Sequence, residues 1–181
     1  MPNADIRVPQ TSHLGLQSAA GSRERLTDGA KMIVHDVTGG YLFTDNYNDN
    51  LGEAIQIWHE DTLRTDAAVA AHRWYIVADE ADTYRIESGH RRHVLTASTA
   101  PNDHPRLRER TSTLQALQRW HLVPSLGSGG SHVIVPAMFP DYALGPNFGH
   151  QYGDVYVKPT RMWLGEPAIG HIWRIGDAPS S

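Results

Sequence analysis

Three tryptophans sit in one local pattern at near-regular intervals. The segments are HRWYIV around Trp74, QRWHLV around Trp120 and HIWRIG around Trp173. Each reads His or Gln, any residue, Trp, any residue, then an aliphatic. Trp74 and Trp120 lie 46 residues apart, and Trp120 and Trp173 lie 53 apart. A period of this size marks a chain built from repeated supersecondary units, none of which buries its apolar face alone.

The stretches between the tryptophans repeat in phase. An opening segment recurs as Met32-Ile33-Val34, Tyr84-Arg85-Ile86 and His132-Val133-Ile134. A second follows a tight turn, as Tyr41-Leu42-Phe43, His93-Val94-Leu95 and Tyr142-Ala143-Leu144. A third is Ala54-Ile55-Gln56-Ile57, Arg106-Leu107-Arg108 and Val155-Tyr156-Val157, and the fourth carries the Trp. The segments are short, rich in β-branched and aromatic residues, and many alternate apolar with polar, the period of a half-buried strand. Turn signals such as TGG, NYNDN, PND, GSGG and GPNFG separate them. Only ADEAD, LRTDAAVAAH and TSTLQALQ read as candidate helices.

Four strands in each of three units predict an all-β chain of twelve strands in three pseudo-threefold repeats, the β-trefoil arrangement. Six strands close a barrel and three hairpins cap one end, which removes exposed sheet edges. The expected division is a polar leader or arm at 1–30, a β-trefoil domain at 31–176 with repeats at about 31–82, 83–130 and 131–176, and a tail at 177–181. Trp74, Trp120 and Trp173 are expected in the core, each filling the same point of its unit.

Composition removes several function classes. The 181 residues contain no cysteine, which excludes disulfides, thiolate catalysis and Cys-ligated zinc. Net charge is −4, from 16 basic and 20 acidic residues, and the basic ones form no long block. Nucleic acid is therefore not an expected partner. The first residues have no apolar core of a secretory signal, and no run approaches the ~18 apolar residues of a membrane span. Membrane insertion is not expected, and the chain reads as cytoplasmic, or exported without a recognisable signal. No nucleophile elbow, metalloprotease helix or phosphate loop is present, so the chain does not read as an enzyme and no cofactor is expected. His90 and His93 are too few to hold a metal.

The repeated Gln/His-x-Trp signature resembles the ricin-B-type lectin family. The fit is best in the first repeat, where GYLFTDNYNDNLGEAIQIWHED, from Gly40 to Asp61, runs without a gap along the family pattern and leads on to AAHRWYI. The resemblance covers about residues 31–176. It implies a shallow sugar pocket on a repeat. There an early Asp accepts bonds from two hydroxyls, an aromatic ring stacks on the pyranose, and an Asn before the final Trp adds a polar contact. In the first repeat the stacking aromatic is Trp58, while the Asp position is Phe43 and the Asn position is Ala71, with His72 replacing Gln. In the second repeat the Asp and aromatic positions fall at about Thr96 and Arg110. In the third, the Asp position falls near Leu144–Gly145. The implied function is carbohydrate binding with a non-standard or degenerate site, and the implied partners are glycans or glycoproteins.

Two patches are the candidate ligand-binding residues. The first combines Asp45, Asn46 and Asn48 with Trp58, His59 and His72. The second combines Asn147, Asp154 and Trp163. A polar loop beside an accessible ring suits a sugar or a peptide, although Asn and Asp also serve simply to stabilise turns. Two other readings stay open. One is a β-trefoil protease inhibitor acting through loops 45–53, 98–105 and 145–153, with Asn48, Asn102 and Asn147 at their tips and a protease as partner. The other is the targeting domain of a toxin or larger assembly.

Overall fold

A computed structural model describes residues 26–44, 50–52, 55–58, 70–125, 130–146, 155–161 and 169–179. The strands run in the predicted order. They are β1 (Lys31–His35), β2 (Tyr41–Thr44), β3 (Ile55–Trp58), β4 (Trp74–Ala78), β5 (Tyr84–Ser88), β6 (Val94–Thr96), β7 (Arg106–Arg108), β8 (Trp120–Pro124), β9 (Ser131–Pro136), β10 (Tyr142–Pro146), β11 (Val155–Arg161) and β12 (Ile172–Asp177).

Six of them close on themselves. β1 pairs with β4, β4 with β5, β5 with β8, β8 with β9, β9 with β12, and β12 with β1, each antiparallel. Following these pairs returns to the starting strand, so the ring has no free edge. The remaining strands form the antiparallel hairpins β2–β3, β6–β7 and β10–β11. The hairpins also meet one another. Val155 of β11 pairs with Ile57 of β3, and the Gly52 amide donates to the Leu107 carbonyl at 2.8 Å.

The threefold relationship is visible in the register. Trp74, Trp120 and Trp173 stand opposite Lys31, Tyr84 and His132, each the same point of an opening strand. All three indoles are fully buried. Around them the core is built from matched triplets: Ile33, Ile86 and Ile134 on the opening strands, and Leu42, Leu95 and Leu144 on the second strands, none exposed to solvent. Aliphatics two residues past each Trp, Ile76, Leu122 and Ile175, complete the same cluster. Burial of one such side chain contributes about 1.5–3 kcal/mol. Leu26, just before β1, also packs against this cluster.

Two local expectations change. ADEAD is a turn between β4 and β5, with Ala81 and Asp82 at φ 48° and 58°. The Asp79 amide donates to the Thr83 carbonyl at 2.9 Å and closes it. Within TSTLQALQ the regular part is a single 3₁₀ turn, Gln115–Gln118. The TGG turn forms as read: Gly39 takes φ 70°, a conformation that favours glycine, and donates to the His35 carbonyl at 2.9 Å.

Candidate functional site

The hairpin β2–β3 sorts its side chains by face. Leu42 pairs with Ile57 and Thr44 with Ile55, and these four are buried. Successive strand residues alternate faces, so Tyr41, Phe43, Gln56 and Trp58 share the other face. Tyr41 stands directly across from Trp58, and Phe43 across from Gln56. Phe43 and Gln56 are only 2% exposed, whereas Tyr41 and Trp58 are partly exposed.

An aromatic cluster results. The Phe43 ring lies 5.9 Å from Trp58, tilted by 40°, and 4.7 Å from His72. Tyr41 meets His72 edge-on at 5.6 Å. Such tilted pairs lie within the favourable range of 4.5–7 Å for ring centroids. Trp58 is thus flanked by Phe43 and stays partly exposed, as a stacking residue must be.

Of the predicted ligand-binding residues, Trp58 and His72 are described. His72 corrects one expectation. It is fully buried, sandwiched by Phe43 and Tyr41, so it supports the cluster rather than touching a surface ligand. Asp45, Asn46, Asn48, His59, Asn147, Asp154 and Trp163 lie outside the described residues. Tyr41 was missed by the sequence reading. The signal was its spacing of two from Phe43 on a strand, which puts both rings on one face.

One slot recurs in all three repeats. The residue after the core leucine of the second strand is Phe43, Thr96 or Gly145, and all three are buried. Each touches the residue two before its Trp: His72, Gln118 or His171. Phe43 packs its ring on His72. Thr96 Oγ1 accepts a bond from Gln118 Nε2 at 3.2 Å, and Gln118 also donates to the Glu109 carbonyl at 2.8 Å. Gly145 leaves room for His171, since a Cβ there would stand 2.7 Å from His171 Cδ2. This slot is where the lectin resemblance expects the sugar-gripping Asp. None of the three residues is a carboxylate, and each is occupied with packing inside its own repeat.

Burial disfavours the charged form of three histidines. Burial lowers the pKa of His35, with the Gly170 carbonyl and Asp36 opposing it. His35 Nε2 lies 3.1 Å from that carbonyl, and Nδ1 lies 3.0 Å from Thr38 Oγ1. Burial likewise lowers His132 and His171, the latter helped by the neighbouring charge of His35. Among the described residues, no three metal-ligating side chains converge.

The loop at 98–105 is tied internally. Ser98 Oγ donates to Asp103 Oδ2 at 3.0 Å, and the His104 amide donates to Asp103 Oδ1 at 2.8 Å. Asn102 is exposed at its tip.

No protein-family model matches the chain, and no curated protein matches it by sequence. Solved structures do. The chain is similar to the designed threefold-symmetric protein ThreeFoil, with TM-score 0.68 and 18% identity over 83% of this chain and 99% of that one. It is similar to the ricin B-like lectin of Macrolepiota procera, solved in complex with lactose, with TM-score 0.62 and 14% identity over 84% of this chain and 97% of that one. It is also similar to part of a mosquitocidal holotoxin, with TM-score 0.67 and 12% identity, covering 84% of this chain and 17% of that one. At these identities the likeness speaks to architecture, and together with the closed six-strand ring and its hairpins it makes the chain a β-trefoil of the kind seen in ricin B-like lectins.

Proposed function

We propose that the protein is a carbohydrate-binding β-trefoil whose working site is non-standard. The observation that carries this reading is Trp58: a partly exposed tryptophan, flanked by Phe43, on the hairpin face where the lectin resemblance expects a stacking ring. The lactose-bound lectin of the same fold supports it. Phe43 in the Asp slot removes the bidentate grip on two vicinal hydroxyls. Recognition then rests on stacking, with polar contacts from Asp45, Asn46, Asn48 and His59. Asn147, Asp154 and Trp163 form a second proposed patch. Such shallow, wet contacts bind weakly and gain strength by multivalency. The role is binding without chemistry.

A glycan array followed by titration tests this reading. The expected result is binding of a restricted glycan set at micromolar to millimolar strength, abolished by Trp58→Ala. Absence of any saccharide binding at millimolar concentration rejects it.

The likeness to part of a holotoxin favours a second reading, in which this β-trefoil serves as the targeting domain of a larger assembly. Capture of a defined second chain that carries its own activity, in a pull-down with the purified domain, is the expected result.

A further inference from the structure

A second cleft lies in the middle repeat, away from the aromatic cluster. It encloses about 360 Å³ between the start of β5 and the segment that joins β7 to β8. This falls within the roughly 300–1,000 Å³ range of small-molecule sites. Every lining residue carries a polar group, while about half of the exposed wall is apolar. That mixture suits a ligand with both hydroxyls and C–H faces, as a sugar has.

The floor is rigid. Asp79 Oδ2 takes Arg85 and Arg119, each at 3.2 Å. Burial pushes the Asp79 carboxyl up, but the Arg119 and Arg85 guanidiniums outweigh it and hold it below the usual range. Gln118, also on the floor, is fixed by Thr96 and Glu109. The rim carries Arg110, Ser112 and Gln115, all exposed.

Charge decides the ligand class. Asp79, Glu80 and Glu87 are paired with Arg85, Arg92 and Arg119. Arg110 forms no ion pair among the described residues. The cleft therefore presents one uncommitted guanidinium above a neutralised floor of fixed donors and acceptors. A planar guanidinium matches a carboxylate through two parallel bonds.

We propose that this cleft binds a saccharide carrying a carboxylate, with Arg110 on the acid group and Ser112, Gln115 and the floor on the hydroxyls. The proposal rests on the glycan reading of this fold and adds a site and a ligand class that Trp58 does not provide.

The test is calorimetric titration of the full chain with D-glucuronate, with glucose as its uncharged counterpart and acetate as the bare acid. Glucuronate is expected to bind at least roughly tenfold more tightly than either. Arg110→Ala is expected to remove that margin, and Trp58→Ala to leave it intact. Arg110 is exposed, so its removal leaves the core untouched, and Ser112→Ala provides a second probe expected to weaken glucuronate severalfold. Glucuronate no tighter than glucose or acetate, or unaffected by Arg110→Ala, overturns the proposal. Neutral-sugar binding that depends on Trp58, without Arg110-dependent binding of glucuronate, removes this site and leaves the glycan reading standing. Arg110-dependent glucuronate binding without any Trp58-dependent binding does the reverse.

Discussion

The indole nitrogen of Trp120 donates to the Leu95 carbonyl at 2.9 Å, joining the fourth strand of the middle repeat to its second. Trp74 does the same to Leu42 at 2.9 Å, and Trp173 to Leu144 at 2.8 Å. A buried indole needs a partner for its single donor. Here the partner is the leucine that also lines the core. One residue type thereby fills space and fixes a strand carbonyl, and it does so three times.

Replacing Trp120 by Phe leaves the Leu95 carbonyl without this donor and opens a cavity. The expected cost is about 2–4 kcal/mol, from the lost bond and the lost packing together. Trp74→Phe and Trp173→Phe should cost similar amounts, because their surroundings match. Urea unfolding at constant m-value measures all three. A loss under about 0.5 kcal/mol at any of them would contradict the role assigned to the indoles.

Gly145 gives a sharper test of the recurring slot. A Cβ there would meet His171 Cδ2 at 2.7 Å and the Gly170 carbonyl at 2.8 Å. Gly145→Ala should therefore destabilise by about 1–3 kcal/mol through overpacking. Adding His171→Ala should recover part of the loss and not all of it, since the backbone contact remains. The same unfolding assay, run as a double-mutant cycle, reads this coupling.

Stability should fall as the solution is acidified through the histidine range. The pKa values of His35, His132 and His171 are lowered in the folded chain from an ordinary 6.5, chiefly by burial. Below 6.5 the unfolded chain takes up protons that the folded chain resists, so stability drops with pH until the folded values are passed. Above 6.5 these groups add no slope. Melting temperature followed across this window should show the drop, and His35→Gln should flatten it. The paired carboxylate of Asp79 adds a second loss at more acidic pH, below its ordinary 3.8.

The architecture was legible in the sequence because its determinants are local and repeated. Ile33, Ile86 and Ile134 stand at one phase of a period that the Trp spacing announces, and a one-residue slip would turn each out of the core. The turn at Ala81 and Asp82 was less legible. Ala78, Glu80 and Ala81 are good helix formers, and the pairing of β4 with β5 overrides that preference. The site was legible only in part. Trp58 followed from its place in the pattern, but the burial of His72 depends on Tyr41 and Phe43, some thirty residues earlier, closing over it. Arg110 was legible as the second repeat's counterpart of Trp58, but the cleft beside it was not, because its walls come from segments some thirty residues apart and its character depends on which arginine lacks a carboxylate.

The central claim is that Trp58 carries saccharide recognition while Trp74, Trp120 and Trp173 carry the fold. Saturation-transfer NMR with the glycans selected on the array, applied to the unmodified chain and to Trp58→Ala at matched melting temperature, tests it most directly. The account predicts clear ligand signals from the former and at least roughly tenfold weaker binding by the latter. Equal binding by both proteins would contradict it.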